Sequence, residues 1–155
     1  MEQDKIVLNP HNKQEYPPMH TAEHILNATM VKQFGCGRAV TAHVERRKSK
    51  CDYKFDREPT PEEIKKVEEA VNQVIEADIP VTEEYIDITE ATGRFDLSRL
   101  PEQVSRTLRI ITIGTYDSCP CAGDHVGHTG EIGHFKIIGH SYTPGKLRIR
   151  YKLGE

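Results

Sequence analysis

Residues 60–76 read TPEEIKKVEEAVNQVIE, and residues 146–153 read KLRIRYKL. The first segment spells out a helix from its start. Thr60 can cap the free backbone N–H groups of the first turn, Pro61 suits the first helical position, and Glu63 can reach back to complete a capping box. Ile64, Val67, Val71, Val74 and Ile75 then recur at helical spacing and form one apolar stripe, and Pro80 stops the helix. The second segment alternates: Leu147, Ile149, Tyr151 and Leu153 share one side of a strand, and Lys146, Arg148, Arg150 and Lys152 share the other. A helix and a strand that are each apolar on one side bury those sides against each other, which is the α+β layout.

The flanking sequence extends this pattern. Pro17-Pro18 opens a helix that runs to about Phe34, with Gly35 just past its end. Residues 39–45 and 50–56 read as a hairpin around Arg46-Arg47-Lys48-Ser49, and residues 81–88 as a strand. Residues 90–105 are mixed, with room for a short helix. Residues 107–114 are β-rich, and 115–130 are a loop rich in Gly, Cys and His. Glu131 to Thr143 and Lys146 to Leu153 form a hairpin across Pro144-Gly145. Residues 1–16 read as a strand or an extended arm. The expectation is a single domain over residues 1–155, with two main helices packed on an antiparallel or mixed sheet.

A chain of 155 residues is long enough for a core without covalent staples. The sequence has no run of about 18 apolar residues, which excludes a membrane-spanning helix. Residues 1–5 lack the basic and then apolar pattern of an export leader, so the expected setting is inside the cell. There the four cysteines serve as metal ligands or core residues rather than as disulfides. The net charge of −3 is unevenly spread: residues 58–90 hold eleven acids against Lys65 and Lys66, so the remainder is basic. That distribution permits a nucleic-acid partner and equally suits two solvated faces.

His20 and His24 are four apart in the first predicted helix, so both imidazoles share one face. Cys121-Ala-Gly-Asp-His125 offers a thiolate and an imidazole from a distant loop. Together the two pairs supply four N/S ligands, the set that favours tetrahedral zinc. The alternative is a buried Cys121 with His125 capping a turn. Glu23 and Asp124, next to these residues, are the expected general bases, and Asp124 is also a possible ligand. Asn27, at seven residues from His20, is expected on the ligand face, with Thr29 and His128 as further pocket residues. Cys119 is read as a spectator thiol, and Cys36 and Cys51 as core or edge residues.

The His20/His24 and Cys121/His125 pairs, followed by Val126-Gly-His-Thr-Gly-Glu-Ile-Gly-His-Phe-Lys-Ile137, resemble the editing domain of alanyl-tRNA synthetase. The free-standing alanyl-tRNA editing proteins (AlaX type) are the nearest in pattern, and the threonyl-tRNA synthetase editing domain is more distant. The resemblance runs over about residues 17–153 and takes in Tyr53-Lys-Phe-Asp56 and Val71-Asn72. It implies zinc held by His20, His24, Cys121 and His125. The implied activity is hydrolysis of the ester that joins serine or glycine to alanine tRNA, in the cytoplasm. The basic row Lys146, Arg148, Arg150 and Lys152, with Arg46, Arg47, Lys48 and Lys50, would track the acceptor-stem backbone leading to the 3′ end.

The family's loop reads Cys-Gly-Gly-Thr-His, so Ala122 and Asp124 depart from it; Ala122 matters if its position needs a positive φ. Three other readings carry different expectations. One is editing of threonine tRNA that carries serine. Another is a zinc-stabilised RNA-binding module without catalysis. The third is a metallopeptidase of the inverted HxxEH pattern, built on His20-Thr-Ala-Glu-His24.

Overall fold

The computed structural model describes residues 16–95 and 106–154. Helix α1 (Pro17–Phe34) starts with proline in its first turn and ends at Gly35, whose φ of 71° lets its N–H return to the Val31 carbonyl. Helix α2 (Pro61–Glu76) carries the complete capping box between Thr60 and Glu63. A short helix, α3 (Ile88–Arg94), is capped by the Asp87 carboxylate, which accepts from the Thr89 N–H. The expected arm at residues 1–15 lies outside the described residues, as do residues 96–105 of the mixed segment.

Among the described residues the strands fall into two antiparallel sheets rather than one. The first has the order β1 (Thr41–His43), β2 (Ser49–Phe55), β7 (Gly145–Gly154), β6 (His134–Thr143). The second has the order β3 (Val81–Asp87), β4 (Thr107–Ile113), β5 (Asp117–Pro120). Strand β5 occupies part of what reads as loop in the sequence. The β6–β7 hairpin turns at Gly145, with φ 85°, and a bulge between Ile137 and Gly139 shifts the register by one residue. Residues 129–132 make a single tight turn, so β6 begins three residues later than the sequence suggests.

The main core lies between α1, α2 and the inner face of the first sheet, with Met19, Leu26, Tyr53, Val71, Phe135 and Tyr151 among its buried side chains. A smaller cluster of Ile86, Ala91, Leu108 and Ile110 packs under α3. Helix α2 also covers the edge strand β6. Asn72 both donates to the Phe135 carbonyl and accepts from its N–H at 2.9 Å, as a neighbouring strand would, and Glu68 accepts from the Ile137 N–H. From Met19 to Met30, α1 is buried at every residue but Glu23, and five of its buried residues are polar: His20, Thr21, His24, Asn27 and Thr29. Polar side chains are buried at a cost unless they find partners, so this helix marks the place to look for chemistry.

Candidate metal centre

Three elements hold the segment 121–126 against α1. The Arg109 guanidinium, from β4, donates to the carbonyls of Cys121 and Gly123. The Thr21 hydroxyl accepts from the Val126 N–H at 3.1 Å. Thr129 donates to the Val74 carbonyl at the end of α2 and accepts from the Ile79 N–H. The loop is therefore pinned at both ends and in the middle. No residue from 121 to 125 has a positive φ, so Ala122 sits where an alanine backbone is at ease.

In this setting the ligand atoms of His20, His24, Cys121 and His125 lie within 4.8 Å of one another. Cys121 Sγ is 3.4 Å from both His20 Nε2 and His125 Nε2. The His20 and His125 rings stack at 4.2 Å, and His24 meets both edge-on. Each imidazole is steadied from behind. His20 Nδ1 donates to the Asp124 carbonyl at 3.1 Å, and because a carbonyl only accepts, the proton is on Nδ1 and Nε2 faces inward. His24 Nδ1 faces the Asp117 carboxylate at 3.5 Å and Cys119 Sγ at 3.2 Å. His125 Nδ1 meets the Thr21 hydroxyl at 2.9 Å. Rings fixed through one nitrogen so that the other converges is how proteins prepare histidines for a metal.

The charges agree with that geometry. Burial pushes the Cys121 thiol up, yet hydrogen bonds from His125, His20 and His24 outweigh it and hold it far down, at about 2. Burial, with His24 and His20 beside it, lowers His125 to about 4, against the pull of Cys121. Burial also opposes charge on His24, but Cys119 and Asp117 raise it well above the ordinary imidazole range. The pocket thus favours a thiolate with one positive charge beside it, which a metal cation would supply in place of a proton. The donor set of three nitrogens and one sulfur fits a zinc-like ion by its chemistry.

Asp117, Cys119 and His24 form a second group of possible ligands. Arg38 fills the cation's place there. Its guanidinium donates to both Asp117 oxygens, at 2.8 and 3.2 Å, and lies 3.5 Å from Cys119 Sγ. Burial pushes the Asp117 carboxyl up, but His24 and Arg38 hold it below the usual range. This group reads as support for His24. Asp117, Arg38, Thr21 and Arg109 were not foreseen from the sequence. Residues 117, 119 and 121 alternate at strand spacing, a signal that reading the segment as loop conceals. Cys119, expected to be a spectator, is in contact with His24.

A cavity of about 300 Å³ opens over the cluster, lined by His20, Glu23, Asn27, Arg38, Ala42 and Cys121 among others. Glu23 Oε1 is 3.8 Å from His20 Nε2, and its Oε2 accepts from the Asn27 amide at 3.0 Å. The Asn27 oxygen in turn accepts from the Tyr53 hydroxyl and the Ala39 N–H. Thr29 lies outside this cavity, bonded to the Ile25 carbonyl and the Tyr116 hydroxyl. The exposed His128 sits beside Asp78, also outside it. Asp124 is exposed and lends its backbone carbonyl to His20. Arg148 and Arg150 are on the outer face of the first sheet. Arg148 is bound to Asp52 through two hydrogen bonds, at 2.7 and 3.0 Å.

Residues 108–150 match the family model described as the threonyl and alanyl tRNA synthetase second additional domain. Over 130 residues, 83% of this chain, the sequence is 33% identical to the alanine–tRNA ligase of Fervidobacterium nodosum. That match covers 15% of the ligase, so the chain spans a small part of the relative's length. Within residues 108–150 the chain is thus similar to the second additional domain of the threonyl and alanyl tRNA synthetases, and over most of its length to part of an alanine–tRNA ligase.

Proposed function

We propose that this protein is a zinc-dependent hydrolase that cleaves the ester joining a wrong amino acid to tRNA, with serine or glycine on alanine tRNA as its substrates. The observation that carries this reading is the convergence of His20, His24, Cys121 and His125, the first three of which line a solvent-open cavity. The kinship with the alanine–tRNA ligase supports tRNA as the partner. A cytoplasmic setting goes with it.

The four cluster residues would hold the zinc. When bound, zinc supplies a Lewis acid that polarises a carbonyl and acidifies water toward a pKa of ~7. Glu23 is the residue positioned to take a proton. It lines the cavity, and Asn27 fixes one of its oxygens, so the other faces the reaction space. In hydrolysis, water adds to the ester carbonyl and passes its proton to Glu23. The proton then goes to the departing ribose oxygen as the carbon–oxygen bond breaks. Asn27 acts here by holding Glu23. Asp124, exposed next to His125 in the sequence, is the alternative base. Arg150 provides positive charge for the RNA backbone on the outer sheet face, beside Arg148, whose charge is taken up by Asp52.

Deacylation of Ser-tRNA, Gly-tRNA and Ala-tRNA specific for alanine, with Ser-tRNA specific for threonine alongside, tests the proposal. Cleavage of the first two alone is the expected result. A second reading has its own support: four protein ligands ordinarily close a structural zinc site. A zinc-stabilised RNA-binding module would spare every ester at any protein concentration.

A further inference from the structure

Strand β1 is the edge of the first sheet, and its neighbouring residues face two different features. Successive side chains of a strand point to opposite sides. Ala42 lines the cavity over the metal centre, while His43 lines a notch of about 270 Å³ with Lys48, Lys50 and Arg150. The two features are thus one strand's thickness apart.

Register sets the notch's chemistry. His43 is opposite Lys50, and Lys50 is opposite Arg150, so three basic side chains lie in a row across β1, β2 and β7. With strands about 4.8 Å apart, the row is roughly 10 Å long. Among the described residues, neither Lys50 nor Arg150 has a carboxylate partner, whereas Arg148 is neutralised by Asp52. Glu45 and Ser49 complete the lining, and the Ser49 hydroxyl is engaged by the Glu45 backbone. Helices α1 and α2 pack on the inner face of the sheet, so the row is on the side away from them.

We infer that the row His43–Lys50–Arg150 binds a backbone phosphate of the single-stranded 3′ tail of an RNA, and that the tail crosses the edge of β1 to bring its terminal ester into the cavity. The inference rests on the hydrolase reading and gives its substrate a path. A guanidinium and an ammonium side by side suit a phosphodiester: the fork of Arg150 takes two oxygens, and Lys50 adds a compact charge. Arg148, one row along, is already committed to Asp52. Of the two arginines expected to touch RNA, Arg150 is therefore the one that does.

The test is fluorescence anisotropy with a short hairpin RNA bearing an unpaired 3′ tail, titrated at several salt concentrations. The Lys50→Glu/Arg150→Glu protein should bind at least about tenfold more weakly, and its log–log salt dependence should flatten by about one. Its metal content and unfolding midpoint should match the parent. Lys65→Glu/Lys66→Glu, on the exposed side of α2, should bind like the parent. The milder Lys50→Gln/Arg150→Gln pair should show the same loss in part, and serves if the reversal prevents folding. Affinity within twofold of the parent in both notch variants would overturn the path, as would equally tight binding of polyglutamate. Unchanged RNA affinity with ester hydrolysis intact would sink the path alone. Weakened binding in a protein that cleaves no aminoacyl ester would keep the path and sink the hydrolase.

Discussion

At His24, one ring nitrogen faces Asp117 and Cys119, and the ring edge meets His20 and His125. Replacing Asp117 by Asn leaves every cluster residue in place but weakens the hold on His24. Metal affinity should then fall roughly 10- to 100-fold, read by competition with a chromogenic chelator. An affinity equal to the parent's would mean that Asp117 serves Arg38 alone. Asn27 offers a different kind of test. Its removal leaves the Tyr53 hydroxyl, fully buried, and the Ala39 N–H without their acceptor. Asn27→Ala should cost about 1–3 kcal/mol for each group left unpaired, measured by urea unfolding, and should release Glu23 as well. The sequence carried the cluster residues plainly, because histidines four apart on a helix must share a face. It hid Asp117 and Arg38, whose roles depend on β5 lying against α1.

Among the elements, α2 and the terminal hairpin were the most legible. A capping box and a strict apolar stripe are local signals, and both stand in the structure as read. Thr60→Ala should lower stability by about 1 kcal/mol, visible as a shift in the unfolding midpoint, with metal binding unchanged. The division into two sheets was not legible, because which strands pair is decided by packing over long sequence separations. The row of cations on β7 was read correctly as a row but not as a set of pairs. Asp52 on the neighbouring strand binds Arg148, and that contact, with burial opposing and Thr41 assisting, lowers its carboxyl to about 2. A carboxyl lowered by folding stabilises the protein above its unfolded pKa of ~4 and loses that contribution as pH falls toward the folded value. Acid unfolding between about pH 4 and 2 should therefore be less steep in Asp52→Asn than in the parent.

On the scale of the whole molecule, the chain is polarised. The acidic residues gather on α2, β3 and α3, while the outer face of the first sheet carries Lys50, Lys54, Lys146, Arg150 and Lys152. The uneven charge along the sequence and the cation row of residues 146–152 were the early signs of this, and they became a surface once the strands were placed. The metal centre lies at the meeting of α1 and the segment after β5, so the ion would tie the two halves of the chain together. On the function proposed here, this cluster, loaded with zinc, hydrolyses an aminoacyl ester. The most direct measurement follows deacylation of serine-charged alanine tRNA by one preparation in three states: as purified, stripped by chelator, and restored with zinc, with bound metal counted in each. About one zinc per chain is expected, with loss of cleavage on stripping and its return with the metal, all absent from Cys121→Ser. Cleavage that persists in the stripped protein, or a fully loaded protein that leaves the ester intact, would contradict it.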